Sequence, residues 1–417
     1  MKEDRKGYTI ILGYVSLLLA YFMVQILRNS PSAIKPMLDA EFGLTTLQYS
    51  NLSAAFFYSY ALVQIPAGIL NDVTGPKKTA LGGVGLMAAG SLLQAVSRGY
   101  AMLFGSRLIM GLGSGVIFLC VLKYLALYFP EERFSTMTGI SSGVANTAAV
   151  LSQAPVVALA AVLSWRGCYT LFGGIVFLAL VLILMTLPAR RAQTAAAAPA
   201  PELSGILRGI RRILSNRHMY APLLITFIAQ GIYVVGFTWT ISYLGDVYGM
   251  TPVQAGTVSS MIPVTAVVVT VAAGRLCDVI RRRNPVGILC SLAIALLLAF
   301  AAFAGEEKPP LVLGCAAMMS SGVAVFYAIY FGLGKDLNPP ELSGLATGIV
   351  NMATFLGASV FPLIFGAVLN GAGRTAAGYR LAYRILFILS LLLVVLCARA
   401  RETGMKNRWE EIREGKF

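Results

Sequence analysis

The sequence has few charged residues, few groups that bind metals, and an excess of positive over negative charge. Charged residues make up 12% of the 417 residues, with 18 acidic side chains against 33 basic ones. The single histidine, His218, stands beside Arg217 at the start of an apolar segment, and the six cysteines show no CxxC spacing. These shortages argue against a metal site and a disulfide framework. No cluster of nucleophile, base and metal ligands is visible either, so the sequence predicts no enzyme and no cofactor.

Apolar residues, in contrast, are abundant. They form 57% of the chain and give a mean hydropathy of +0.76, which a soluble domain could not carry without large exposed apolar patches. A membrane span needs roughly 20 mainly apolar residues, and twelve stretches meet that condition. The predicted spans are 9–37, 46–70, 79–97, 101–128, 135–163, 167–188, 219–247, 252–280, 286–304, 310–335, 342–369 and 380–399.

The basic residues predict the orientation of the chain. Lys and Arg concentrate at the N-terminus, in the loops around Lys77 and Arg281, in the middle loop and in the C-terminal tail. Cytoplasmic loops keep such an excess, so both termini are predicted to be cytoplasmic in a multi-pass protein of the cell inner membrane. The net charge of +15 then reflects topology and contact with anionic lipid, and nucleic-acid binding is not predicted. The charged start runs into an apolar segment too long for a cleavable signal peptide.

One break in composition divides the chain. After Pro188 an Ala/Pro-rich run reads as a linker, and an amphipathic pattern with arginines on one face follows it. We interpret that pattern as a helix lying on the inner leaflet, with its charges toward lipid. The predicted domains are an N-terminal six-helix bundle, a cytoplasmic linker with an amphipathic helix, a C-terminal six-helix bundle and a cytoplasmic tail, at 1–188, 189–217, 218–400 and 401–417.

A short motif occurs once in each half. Gly68 is followed four residues later by Asp72 and then by a basic loop, and Gly274 and Asp278 repeat this spacing before Arg281. A second pair of matching segments, 130–139 and 339–348, starts with proline and glutamate and ends in Thr-Gly. Such repeats are typical of a duplicated membrane protein whose halves move against each other.

With the fourth-span run from Leu103 to Gly115, these motifs resemble the major facilitator superfamily over essentially the whole chain. The resemblance implies an all-α membrane protein with twelve transmembrane helices in two six-helix bundles, here expected to act as a monomer. A narrower similarity joins the N-terminal half to the anion:cation symporter family, which carries hexuronates and sugar acids, and more distantly to organophosphate:phosphate antiporters. The segments that carry this similarity are 28–38, 41–45, 55–68, 129–133 and 165–166.

The repeated motif is interpreted as a gate. An Asp at the cytoplasmic end of one helix can rest against the positive N-terminal end of another and lose that contact when the halves part. Arg107 matches a widespread superfamily arginine, and we expect it to be mainly structural. The predicted gating residues are Gly68, Asp72, Arg107, Arg133, Gly274 and Asp278.

Selectivity is predicted to depend on cations inside the spans. Arg28 lies in the first span with Gln25 on the same helical face, and Pro31 should bend the helix just beyond it. Burying an ionisable group is costly, and the predicted spans of this half contain no Asp or Glu. Because guanidinium binds carboxylate or phosphate through a planar fork, the expected partner is an anionic substrate. Lys123 is a second candidate that could either face the cavity or reach the interface.

Weaker candidates for substrate contact are polar and aromatic residues in the spans that line the superfamily cavity. They are Tyr58, Tyr124, Asn146 and Gln153 in the N-terminal half and Tyr233, Trp239, Tyr327 and Asn351 in the C-terminal half. With 3.6 residues per turn, Arg107 and Lys123 point roughly 160° apart in the fourth span, so we do not expect both to face the same cavity.

The predicted function is transport of a small organic anion, such as a carboxylate or sugar acid, by alternating access. Leu27 and Ser114 occupy positions where symporters of the resembled family often carry acids, so proton symport and exchange for a counter-anion both stay open. The alternative is a multidrug or metabolite efflux antiporter. Such exporters typically have proline after the fifth-span Gly-rich element, where this chain has Val144.

Overall fold

A computed structural model of the chain describes residues 2–188, 203–303, 326, 329–330 and 332–416. Within those ranges, several side chains lie outside the description, namely those of residues 2–7, 65, 72, 131, 132, 135, 203, 204 and 206. All regular secondary structure in the described residues is helical. Two compact units emerge, the first comprising Met1–Leu44 and Ala55–Glu202, the second Thr45–Ala54 and Leu203–Phe417.

Six long helices account for the described part of the chain up to Thr186. They are α1 (Lys2–Phe42), α2 (Thr46–Ala95), α3 (Tyr100–Ser114), α4 (Ile117–Tyr128), α5 (Glu131–Leu151) and α6 (Ala154–Thr186). Two of them are bent, because α2 has non-helical backbone at Gly75 and α6 at Ser164. The first turns of α2 are counted with the second unit.

Further helices follow among the described residues from Leu203 onward. They are α7 (Leu203–Ser215), α8 (Tyr220–Tyr248), α9 (Pro252–Ile280), α10 (Asn284–Phe303), α11 (Ser343–Ala372), α12 (Ala376–Arg399) and the short α13 (Trp409–Arg413). Short 3-10 turns at Arg217–Met219 and Pro340–Leu342 lead into α8 and α11. The described residues between 326 and 336 are also helical. Most of the predicted tenth span, 310–335, lies outside the described residues.

Eight helical segments among the described residues are long and apolar enough to cross a membrane. They carry large apolar side chains on their outer faces, as shown by Val162, Met185 and Val279, which are 82%, 76% and 80% exposed. Apolar side chains exposed to this extent suit lipid rather than water. The chain is therefore an integral membrane protein. The sequence predicts twelve spans, and eight candidate spans are found among the described residues.

The repeated motif of the sequence is also repeated in the backbone. Seven residues after Gly68 stands Gly75 (φ 81°, ψ 165°), and seven residues after Gly274 stands Arg281 (φ 54°, ψ 28°). Both positions have positive φ, which ends the straight course of the helix before the basic loop. Each basic loop also caps the last long helix of its own unit. Lys77 Nζ donates to the carbonyls of Leu184 and Leu187 at 2.8 and 2.6 Å, and Asn284 Nδ2 donates to Ala400 at 2.5 Å.

Glycines in α3 bring that helix into direct backbone contact with α2. A Cβ on Gly111 would stand 2.2 Å from the carbonyl oxygen of Phe56, and one on Gly113 would stand 2.3 Å from that of Gly83. Small residues at such positions allow helices in a membrane to pack closely. The helix then stops at Ser114 and restarts at Ile117. Gly115 and Val116, between the two helices, keep right-handed helical backbone angles, so the relative direction of Arg107 and Lys123 stays a prediction.

The first helix is longer than the sequence predicts. It continues through Pro31 and Pro36 to Phe42, beyond the expected end of the first span at 37. This extension brings Asp39 onto the helix, where it forms an ion pair with the buried Lys35 one turn earlier. Nearby, Glu41 accepts hydrogen bonds from Trp165 Nε1 at 2.8 Å and from Arg166 Nη1 at 2.6 Å.

Candidate functional site

The strongest candidate site surrounds Arg28 in the first unit. Arg28 is half-buried on α1, and its Nη2 donates to the Oε1 of Gln25, which is 5% exposed. This contact agrees with the prediction that the two residues share one face. No carboxylate among the described side chains forms an ion pair with Arg28. Its partner is a neutral amide, which orients the guanidinium without cancelling its charge.

Aromatic side chains complete the surroundings of this guanidinium. Tyr21 and Tyr60 lie within electrostatic range of Arg28. Tyr21 stacks on Phe118 with ring centroids 5.0 Å apart and the rings inclined by 23°. Neither tyrosine was among the predicted site residues, although Tyr21 stands seven positions before Arg28 and therefore on the same helical face. This seven-residue spacing could have identified Tyr21 as a site residue from the sequence.

Arg107 has a different task, because it binds the backbone of α1. It is completely buried, and its Nη1 and Nη2 donate to the carbonyl oxygens of Leu27 and Arg28 at 2.5 and 3.1 Å. In an α-helix the carbonyl of Leu27 would accept from the N–H four residues later, but that residue is Pro31, which has none. A freed carbonyl inside a membrane is expensive unless another donor reaches it. Arg107 supplies that donor, as its expected structural role requires.

The other predicted contacts in this unit are placed as follows. Lys123 is half-buried on α4 and has interactions of its own. Tyr124 is completely buried, and its hydroxyl donates to the carbonyl of Ile10 at 3.0 Å, a contact that joins α4 to α1. Gln153 is buried between α5 and α6, where its Oε1 accepts from Ser32 at 3.3 Å.

Two weaker candidates of this unit sit on half-exposed helix faces. Asn146 is intermediate in exposure and donates to the carbonyl of Ser142 within α5 at 2.9 Å. Tyr58 is also intermediate in exposure, on α2. The contact of these two residues with substrate stays a prediction.

In the second unit the predicted contacts form aromatic groups. Trp239 is fully buried, with ring centroids 5.5 Å from Tyr49 and 5.8 Å from Phe365. Tyr233 packs against Phe237 at 5.1 Å, and Asn351 is half-buried on α11. Tyr327 lies outside the described residues. The role of these residues in substrate contact stays a prediction.

The match of this chain to a family model determines its class of protein. The model of the Major Facilitator Superfamily matches residues 17–362, most of the chain. The chain belongs to the Major Facilitator Superfamily. It is accordingly a transporter and not an enzyme, and the fold family expected from the repeated motifs is confirmed.

Three relatives within the superfamily have transport functions in their names. The chain is 24% identical to a D-galactonate transporter of Escherichia coli O6:H1, with 94% of this chain and 96% of the relative covered. It is 21% identical to a hexuronate transporter of Bacillus subtilis strain 168 (88% and 90% covered). It is 25% identical to an L-fucose-proton symporter of Escherichia coli strain K12 (89% and 90% covered).

The fold is shared with solved superfamily structures. The crystal structure of a bacterial homologue of the human lysosomal transporter Spinster matches with a TM-score of 0.77 at 13% identity, covering 94% of this chain and 96% of that one. A structure of the nucleoside transporter NupG matches with a TM-score of 0.77 at 14% identity, covering 93% and 99%. These likenesses show the superfamily fold.

The role of the predicted gating residues stays a prediction, and the structure places them as follows. Asp278 is exposed near the end of α9, while the side chain of Asp72 lies outside the described residues. A Cβ on Gly68 or Gly274 would meet no other atom within 4 Å. Arg133 is exposed on the first turn of α5.

Proposed function

We propose that this superfamily member is a secondary active transporter that moves a small organic anion, a carboxylate or sugar acid, across the cell inner membrane by alternating access. The observation that carries the proposal is the environment of Arg28. A half-buried guanidinium whose described partner is the neutral Gln25 keeps a full positive charge inside the span. Such a charge is costly unless an anion neutralises it. A carboxylate substrate would do so through paired hydrogen bonds.

Arg107 supports the assignment of Arg28 to the substrate site, because the two arginines have different hydrogen-bond partners. Its guanidinium is already engaged with two backbone carbonyls, so Arg28 is the better placed of the two arginines to bind a substrate. Tyr21 and Tyr60 lie near Arg28, and we propose that their rings contact the carbon skeleton of the substrate. The relatives named for galactonate and hexuronate agree with a sugar acid.

The remaining parts of the proposal concern architecture and coupling. We infer twelve spans in two six-helix bundles, 1–188 and 218–400, joined by a linker and amphipathic helix at 189–217, with a cytoplasmic tail at 401–417, both termini cytoplasmic and a monomeric protein. Asp72 and Asp278 are the proposed gate anions. Proton symport and anion exchange are both compatible with the site, and the relative named as a proton symporter favours the first.

The test is uptake into proteoliposomes. Wild type is compared with Arg28→Gln, Arg28→Lys and, as a matched control, Arg98→Gln, which changes an exposed arginine before α3. The panel of labelled substrates contains D-galactonate, a hexuronate, D-glucarate and a phosphate ester. We expect Arg28→Gln to lower kcat/KM for the best substrate about hundredfold, a loss of about 2.7 kcal/mol. Arg28→Lys should keep part of the activity, because it retains charge but not the planar fork.

Two outcomes would contradict the proposal. Wild-type rates in Arg28→Gln would remove Arg28 from the substrate site, and an equal loss in Arg98→Gln would show that the effect is not local. Imposing either a pH gradient or an internal anion in the same vesicles separates symport from exchange. Accumulation driven by the pH gradient alone indicates proton symport.

A further inference from the structure

The second unit contains a basic cavity outside the membrane-spanning helices. It has a volume of about 620 Å³ and lies between α7, the turn that follows it, and the C-terminal tail. Five arginines and the only histidine of the chain line it, and none of the described residues that line it is acidic. The lining residues that carry the argument are Arg208, Arg211, Arg212, Arg217, His218 and Trp409.

The arginines converge because helical spacing puts them on one face. Arg208, Arg211, Arg212 and Ser215 follow the i, i+3, i+4, i+7 pattern along α7. A different side of α7 packs on α11, since a Cβ on Gly209 would stand 2.7 Å from the side chain of Leu345. The basic face of α7 therefore lines a cavity, where the sequence suggested only a tether with its charge toward lipid.

The opposite wall of the cavity is the C-terminal tail, and it is fixed in place. The guanidinium carbon of Arg212 stands 5.0 Å from the centre of the Trp409 ring. The backbone N–H of Arg408 donates to the carbonyl of Asp336 at 2.8 Å, and Asn407 Nδ2 donates to the carbonyl of Asn338 at 3.0 Å. These contacts hold α13 against the helical segment that ends near Asp336.

Three carboxylates of the tail form ion pairs with basic residues of the tail itself. Glu410 pairs with Arg413 at 3.0 Å, Glu411 pairs with Arg408, and Glu414 pairs with Lys416 at 2.7 Å. Among the described side chains, no ion pair includes Arg211, Arg212 or Arg217. Arg211, Arg212 and Arg217 thus face one cavity, and no described carboxylate forms an ion pair with them.

We propose that this cavity binds a phosphate-bearing anion, supplied either by the head group of an anionic phospholipid or by a soluble phosphate ester. Arginines on one face bind phosphate oxygens through charge-assisted hydrogen bonds, and the volume is in the range of small-ligand sites. Trp409 and Ile412 add an apolar wall. Leu207 and Leu214, 57% and 40% exposed on α7, can enter the membrane surface beside a lipid head group. The cavity shares no residue with the proposed substrate site around Arg28.

Trp409 provides a local reporter, because the chain has only three tryptophans. Full-length protein in detergent is titrated with glycerol 3-phosphate, with dihexanoyl phosphatidylglycerol and, as a zwitterionic comparison, with dihexanoyl phosphatidylcholine, while tryptophan fluorescence is recorded. Arg211→Gln/Arg212→Gln removes two cavity charges. Arg399→Gln/Lys406→Gln removes two exposed charges elsewhere in the second unit and is the matched control. Trp409→Phe shows whether the signal comes from the cavity, and Arg28→Gln excludes a contribution from the substrate site.

We expect saturable binding of at least one anionic probe, weakened about tenfold in Arg211→Gln/Arg212→Gln and unchanged in the control and in Arg28→Gln. Binding of the lipid alone identifies a head-group site, and binding of glycerol 3-phosphate alone identifies a site for soluble esters. The proposal is overturned if neither anion binds, if the control weakens binding equally, or if the signal persists in Trp409→Phe. Equal thermal unfolding midpoints of the variants exclude loss of folding as the cause.

Discussion

Several arginines of the two units have different kinds of partner. In the first unit, Arg28 binds the amide of Gln25 and Arg107 binds the backbone carbonyls of Leu27 and Arg28. In the second unit, Arg283 pairs with Asp336 at 2.7 Å, and Arg374 forms two hydrogen bonds to Asp246, each 2.8 Å long. Neutral partners leave the positive charge in place, whereas carboxylates cancel it.

This difference indicates which unit is suited to an anion. The first unit does contain carboxylates on α1, but Asp39 pairs with Lys35 and Glu41 with Arg166, near the end of the helix. The charge on Arg28 is left for a substrate to neutralise. The duplicated loops show that the two halves share a structural plan, so their contrasting electrostatics arise from side chains that the duplication did not preserve.

Asp336→Asn should have the largest effect on stability, because it removes the charge that compensates Arg283. Both side chains are about nine-tenths buried, at 9% and 11% exposure, and Thr403 Oγ1 also contacts them. We expect a loss of about 3 kcal/mol in the free energy of unfolding, since an uncompensated buried cation remains. Thermal unfolding in detergent measures it.

The matched control for that change is Glu341→Gln, which alters an exposed acid before α11. If both variants unfold at the same temperature, the pair of Arg283 with Asp336 does not stabilise the second unit. Arg283 would then no longer support the contrast between the arginine partners of the two units.

Arg107→Gln should have the next largest effect on the free energy of unfolding, about 2 kcal/mol, because the carbonyl of Leu27 would keep only the long hydrogen bond from the Ser30 hydroxyl, at 3.4 Å. Pro31→Ala restores the backbone N–H that normally serves this carbonyl. The double variant should therefore recover part of the loss, with a coupling of about 1 kcal/mol in a double-mutant cycle of unfolding free energies.

A strictly additive cycle would contradict this account of Arg107. In that case its role would lie in other contacts, such as the ring of Phe56, 4.9 Å from the guanidinium carbon. Arg98→Gln again serves as the control for removing a positive charge from the first unit.

The smallest expected effects test the shared backbone plan of the two loops. Gly75 has a conformation that is nearly restricted to glycine, so Gly75→Ala should destabilise the protein by about 1 kcal/mol or more. Arg281 has a left-handed helical backbone conformation. Arg281→Gly should therefore raise the free energy of unfolding of the protein by up to about 1 kcal/mol. Thermal unfolding of both variants gives the comparison. Equal signs for the two changes would refute the idea that both loops require positive φ.

Some features of the site could be predicted from local spacing alone. Gln25 and Arg28 are one helical turn apart, so their contact follows from the period of the helix, and Tyr21 could have been found in the same way. The interruption between Ser114 and Ile117 could not be predicted, because it accompanies a close approach of α3 to α2 that depends on residues distant in sequence. The end of α1 at Phe42 was not predicted either, because hydropathy placed the end of the first span at residue 37 and the helix continues past it.

The sequence by itself determined the membrane location, the duplicated plan and the family, because hydropathy and short motifs are local properties of the chain. It also singled out Arg28, since a charge in an apolar segment is visible without a structure. Only the tertiary structure decided which of the two arginines is the better placed to bind an anion. Arg107 donates to the backbone carbonyls of Leu27 and Arg28, whereas Arg28 donates to the side chain of Gln25. The same is true of the basic cavity beside α7, because the sequence placed arginines on one helical face but could not show that the tail of the chain lies opposite them.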